Sequence, residues 1–272
     1  VQDAVDAACD GVTIVVSNGA YAISAPITIA KGVTLRGLTG NPEDVVFAND
    51  NAERLLHLHH ADAVAAGFVL EGGSRKVWGQ GACISSAGGT VSNCVVRGCT
   101  ASGSGGYASA VYVNSAYGLV THCAVTNNAY AVTSPSQYFV PGIRVDAGGR
   151  VENTLVADNA DTGARNGSYS AASGVRVDRG RLLNCTVVNN SGPAVGGVWL
   201  NPDNAAYCSA TNCVVAGNAS TKLDATYGNT YPNANSQKLF DHCASDDGAL
   251  INASCTRAPA RVLFKEIDGK LC

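Results

Sequence analysis

The stretch GVRVDRGRLLNCTVVNN, Gly174–Asn190, is close to one the chain has already used, GIRVDAGGRVENTLVADN at Gly142–Asn159. Taking the residue after the repeated Asn as an anchor gives Cys94, Cys123, Thr154, Cys185 and Cys213, and Gly67 fits the same frame upstream. Successive anchors lie 27 to 31 residues apart. Before each one stands Asn93, His122, Asn153, Asn184 or Asn212; two places after it comes Val96, Val125, Val156, Val187 or Val215. Agreement at a fixed period of this length marks a repeat architecture before any single residue is interpreted.

Each unit also opens on a second short apolar run: LLHLH at 55–59, ACISS at 82–86, AVYVN at 110–114, GIRVD at 142–146, GVRVD at 174–178 and GVWLN at 197–201. These runs are too short for helices and alternate with period two, so they read as strands with one buried face. Clusters of Gly, Asn, Ser and Asp between them supply turn chemistry. A unit of this kind cannot bury its apolar face alone, but stacked on its neighbours it encloses a continuous interior. The Asn column is then expected at a tight corner. Asn tolerates left-handed backbone there, and its amide can bond the copy above.

The patterns GVRVD…NCTVVNN, AVYVN…THCAVTNN and GGTVSNCVVRG resemble the right-handed parallel β-helix repeats of pectate-lyase-like proteins. The resemblance covers roughly residues 12–220. It implies an all-β fold, a single-stranded right-handed parallel β-helix (solenoid). It leaves function open, because that superfamily holds polysaccharide lyases and hydrolases, phage tailspikes, adhesins and surface proteins. Residues 1–11, VQDAVDAACDG, carry Val1, Ala4, Val5 and Ala8 at helical spacing and predict a short N-terminal capping helix over the first coil. Residues 221–272 lose the repeat and are expected to form a C-terminal cap or irregular extension.

Charged residues are only 14% of the chain, which suits thin stacked coils of small side chains. A formal charge of −3 with no Lys/Arg run argues against nucleic acid as a partner. No apolar stretch reaches the ~18–20 residues a membrane span needs. The chain has no Met and starts at Val1, so a processed or excised segment is expected.

Among eleven cysteines, Cys94, Cys123, Cys185 and Cys213 fall in one inward column and read as stacked buried thiols, with Cys83 also inward. Cys208, Cys243, Cys255 and Cys272 fall near the C-terminal region, where pairing of Cys243 with Cys255 or Cys272 is one option. No CxxC appears, and neither zinc nor a cofactor is expected.

On each opening strand, the residue between the two inward positions is expected to face solvent. That column reads His57, Ile84, Tyr112, Arg144, Arg176, Trp199; two residues on come His59, Ser86, Asn114, Asp146, Asp178, Asn201. Tyr112, Arg144, Asp146, Arg176, Asp178 and Trp199 are therefore the candidate binding residues. Rings stack on sugar faces, and paired guanidinium donors suit carboxylates. The alternative is a surface lattice of exposed Arg–Asp pairs, worth about 0–1 kcal/mol each. Asp146 and Asp178 would lie about 5 Å apart, a separation known from retaining glycosidases, but Arg neighbours would keep both ionised, so no catalytic residue is assigned. His57 and His59 share a strand face with no third metal ligand apparent. The insertions at 129–142 and 160–174 bring Tyr138, Phe139 and Tyr169 as candidate groove walls.

The sequence thus favours a secreted or cell-surface β-helix, an adhesive or scaffold module with glycan contacts. A polysaccharide lyase or hydrolase acting on an acidic glycan is one alternative, and a filament subunit self-associating through its β-helix ends is another. A far-UV circular dichroism spectrum dominated by strand is expected; a helical spectrum would end this reading.

Overall fold

A computed structural model describes residues 1–49, 53–75, 81–101, 109–130, 140–163, 172–222, 228–231, 234–246, 254–257, 266–267 and 270–271. The chain is a parallel β-solenoid, as right-handed parallel β-helix repeats require. A typical coil runs through four strands, Ser109–Asn114, Gly118–Thr121, Ala124–Thr126 and Ala129–Tyr130, which enter four separate sheets. We number these sheets 1 to 4 in that order; they contain seven, nine, ten and six strands. All pairing within them is parallel, and over the repeat it links residues one coil apart, for example Val120 with Val151 and Val125 with Val156. Sheet 2 runs from Thr13–Val16 to Phe240–Asp241, and sheet 3 ends on Ala244–Ser245 and Thr256–Arg257.

The interior consists of columns of like residues. Sheet 1 contributes Leu56, Ile84, Val111, Ile143, Val175 and Val198, all fully buried; sheets 2 and 3 contribute columns that include Leu35, Val91 and Val151, and Phe47, Leu70 and Val96. The strand ACISS sits one residue away from the register expected of it. Ile84 points inward between Leu56 and Val111, and Ser85 takes the outer column between His57 and Tyr112. Burial of the larger apolar side chain decides this, because a single-residue slip exchanges the two faces. Ser86 is accordingly interior, where its hydroxyl donates to the Gly88 carbonyl at 2.9 Å.

The anchor column also shifts at its lower end. Phe68, one residue before the sheet 3 strand like Cys94, occupies the anchor; Gly67 takes the corner position beside Asn93. Both corner residues have positive φ, +75° at Gly67 and +48° at Asn93. The same left-handed conformation recurs at His122, Asn153, Asn184, Asn212 and His242, as expected of an Asn-rich corner. Asn184 donates to Asn153 at 3.1 Å and Asn212 to Asn184 at 2.7 Å.

Cys94, Cys123, Cys185 and Cys213 are buried thiols, and each donates to the carbonyl two residues before it, at 3.2 to 3.3 Å. Cys243 and Cys255 extend this column as free thiols instead of pairing. Among the described residues the one disulfide joins Cys83 to Cys99, sixteen residues apart. Cys272 lies outside the described residues.

Five residues after the anchors Cys123, Thr154, Cys185 and Cys213 stands a second Asn column, buried at Asn128, Asn159 and Asn190 and half-buried at Asn218. Asn128 donates to Asn159, Asn159 to Asn190, Asn190 to Asn218 and Asn218 to Asn229, each at 2.9 Å. The second amide hydrogens reach backbone carbonyls one coil away, such as Val125 from Asn159 at 2.9 Å. Below Asn128 the column position is Cys99, whose backbone N–H donates to the Asn128 side-chain Oδ1 at 2.9 Å. The ladder thus ends at the disulfide.

The helix Gln2–Ala7 caps the first coil. The amide of Gln2 accepts from the Thr28 N–H at 2.8 Å and donates to the Thr28 carbonyl at 3.2 Å, standing in for a missing strand at the edge of sheet 1. Lys31 Nζ donates to the carbonyls of Asp6 and Ala8 and closes the helix C-terminus. Val5 is buried beneath. No helix among the described residues is long and apolar enough to cross a membrane.

Asn159→Ala removes an amide bonded above and below and should cost on the order of 3 kcal/mol, because buried partners are left unsatisfied. Asn184→Gly, at an exposed corner whose backbone glycine adopts readily, should cost no more than about 1 kcal/mol. Urea unfolding of the two variants checks the ordering; equal midpoints would mean that the inner ladder contributes nothing specific.

Candidate functional site

The residues singled out from the RVD repeats come together as one strip. Tyr112, Arg144, Arg176 and Trp199 are register neighbours on consecutive strands of sheet 1. Asp146 pairs with Asn114 in the column alongside, and Asp178 follows its strand in the same way. The strip is not solvated as expected. Tyr112 is 9% exposed, Arg144 8%, Arg176 6%, Asp178 7% and Trp199 5%.

Part of that burial is mutual. The Arg144 guanidinium lies 5.3 Å from the Tyr112 ring centroid, and that of Arg176 lies 4.4 Å from the Trp199 centroid, both cation–π distances. Trp199 also packs with Ala172, Val195 and Tyr231. Its indole N–H has no hydrogen-bond partner among the described residues.

Asp178 holds the centre. Arg176 donates to it from Nε at 3.0 Å and from Nη2 at 2.6 Å, and Arg144 reaches it from Nε and Nη2, both at 2.9 Å. Arg144 Nη2 also lies 3.6 Å from Asp146, whose other oxygen accepts from Arg179 Nε at 2.9 Å. The two carboxylates are therefore bridged by a shared guanidinium. Burial pushes the Asp178 carboxyl up, but hydrogen bonds and charge from Arg176 and then Arg144 outweigh it, and the group ends below the usual carboxylate range. Asp178 is a fixed anion and has no proton to donate at neutral pH. Burial likewise raises the Tyr112 phenol, against the opposing charge of Arg144.

Lower on the same face, His57 and His59 stack with ring centroids 3.7 Å apart and Nδ1 of the first 3.0 Å from Nε2 of the second. Among the described residues no three His, Cys, Asp or Glu side chains converge on a metal-sized site. Tyr138, Phe139 and Tyr169, named as groove walls, lie outside the described residues.

Three features escaped sequence reasoning: the inner Asn ladder, the Cys83–Cys99 bridge, and two exposed tyrosines, Tyr117 and Tyr207, at the corner between sheets 1 and 2. The ladder had a signal, since Asn128, Asn159, Asn190 and Asn218 all stand five residues after an anchor.

Comparison with family models, with curated proteins and with solved structures finds no match for this chain.

Burial changes the expected behaviour of the strip. Arg176→Ala, near-neutral if the residue were on the surface, should cost on the order of 3 kcal/mol because it removes one partner of a buried ion pair. The pH dependence follows from the depressed Asp178 carboxyl. Its contribution is fully present above the unfolded carboxylate pKa of about 4 and is lost as pH falls through the lower folded value. Thermal melts between neutral and strongly acid pH should show this loss in the wild type and a flatter profile in Asp178→Asn.

Proposed function

We propose that this protein is a non-enzymatic scaffold or adhesive module of the secreted or cell-surface kind, a stiff rod that presents its outer faces to partners. One observation carries this reading: the polar groups that catalysis would need are engaged in holding coils together. Asp178, the best-placed acid, is clamped by two guanidinium groups, and Asp146 is held by Arg179 and Arg144. A lyase or hydrolase needs a group that takes up or gives off a proton during turnover, and a carboxylate fixed in this way does neither. The Cys83–Cys99 disulfide supports an oxidising compartment.

The test has two arms. Incubated with uronate and neutral polysaccharides, the protein should produce no unsaturated ends and no new reducing ends. On intact, unpermeabilised source cells, antibody should find it at the surface or in the medium, with Cys83 and Cys99 resistant to alkylation until reduced. Polysaccharide cleavage that disappears in Asp178→Asn would replace this reading with the enzymatic one.

A further inference from the structure

Sheets 2 and 3 differ in what they show to solvent. The outward columns of sheet 2 carry Arg150, Glu152 and Arg181, whereas those of sheet 3 carry small and apolar side chains. Strand pairing fixes the sheet 3 register coil by coil. One outward column runs Val95, Ala124, Leu155, Thr186, Val214, and the next runs Thr126, Ala157, Val188, Ala216. From Ala124 to Ala216 neither column holds a charged or amide side chain. Leu155 is 39% exposed, and Ala124, Thr186, Val188 and Val214 are half-buried.

This face is bounded by polar groups. Exposed corner residues of positive φ border it, Asn153, Asn184 and Asn212 along one side and Asn127, Asp158 and Asn189 along the other. At its lower end Arg97 is held by Glu71 at 2.9 Å and by Glu43 at 3.0 Å, while Asn93 donates to the Gly40 carbonyl at 2.6 Å. The segment 40–43 therefore lies over the sheet there, and Val69, outward by register, is fully buried. At the upper end Asp246 accepts from the Gly217 N–H at 3.1 Å. A charge-free apolar centre inside a polar rim is the anatomy of a protein interface.

The shape restricts the occupant. In-register stacking repeats the relief of the face every ~4.8 Å. Ridges of that period fit a surface of the same period, and a second copy of the face supplies one. Under a two-fold axis lying in the contact plane, apolar columns meet apolar columns and Asn rims meet Asn rims, whose amides carry donor and acceptor together. Charge does not oppose this pairing, since over the four coils from Ala124 to Val214 the rim holds one carboxylate, Asp158. Six strands at about 4.8 Å and five residue steps at about 3.3 Å give roughly 500 Å² per copy. Two copies then bury about 1,000 Å², the lower limit for a specific contact, so the dimer is weak and reversible.

We propose that the outer face of sheet 3, centred on Leu155 and Thr186, joins two copies of this chain side by side. The contact runs along the solenoid and not across its ends. It goes beyond the reading of the protein as a surface module and does not depend on it, because sheets 1 and 2 stay open in each copy.

Sedimentation equilibrium of the full chain from micromolar to submillimolar concentration tests the contact. Cys9 is alkylated beforehand, because this exposed thiol can join copies covalently. A reversible monomer–dimer equilibrium is expected. Leu155→Glu combined with Thr186→Glu places carboxylates against one another and should raise the dissociation constant about tenfold or more. Leu183→Glu makes the same change at a 37% exposed leucine on sheet 2 and should leave association as it is. Melting temperatures close to wild type separate lost association from lost fold. Small-angle X-ray scattering of the wild type gives a second readout, a dimer of monomer length and widened cross-section. Four results would each overturn the proposal: a chain monomeric throughout, which leaves the face to a different partner; a double variant that associates like wild type; equal loss in Leu183→Glu; or a dimer of doubled length, the mark of end-to-end stacking.

Discussion

In-register stacking is the constraint on which the rest depends. Each coil lies directly on its neighbour, so every side chain meets its own counterpart one strand spacing away. Apolar residues satisfy this condition without further help. A polar residue inside must be its own partner, and the primary amide can be, since it carries donor and acceptor together. The column Asn128–Asn159–Asn190–Asn218–Asn229 exploits this, each amide giving to the next along the axis. Where the column reaches Cys99, no amide is available and a covalent bridge to Cys83 takes the corner.

Charged residues cannot obey the same rule. Arg144 and Arg176 are register neighbours, and two guanidinium groups at that spacing repel by on the order of 3 kcal/mol at an effective dielectric near 20. Asp178 relieves the repulsion by accepting from both, and the rings of Tyr112 and Trp199 cover the outer sides of the pair. A motif that resembles ligand chemistry is here spent on its own neutralisation. The same need accounts for the lowered pKa of the Asp178 carboxyl, whose anionic form is the one the site requires.

The ends of a solenoid expose what the middle satisfies. At the first coil the Gln2 amide performs for Thr28 what another strand would otherwise do, matching its N–H and its carbonyl at once. Side-chain amides thus recur as the device that closes backbone or interior polarity along this axis, in the cap as in the ladder.

The sequence by itself determined the repeat, its period and the strand character of each unit, because stacking demands like residues in like places and period two demands alternating faces. It also determined the left-handed corner, since only a few residue types tolerate positive φ and Asn recurs there. It could not determine register within a unit as short as ACISS, where Ile84 and Ser85 compete for the same inward place and only burial against Leu56 and Val111 decides. Nor could it distinguish an outward column from an exposed one. Tyr112, Arg144, Arg176 and Trp199 point away from the core yet are covered, while Tyr117 and Tyr207, in connections of unequal length between sheets 1 and 2, stand exposed. Alternation reports only which side of its own strand a residue is on. What lies against that side is settled by segments distant in sequence, and tertiary packing alone brings them there.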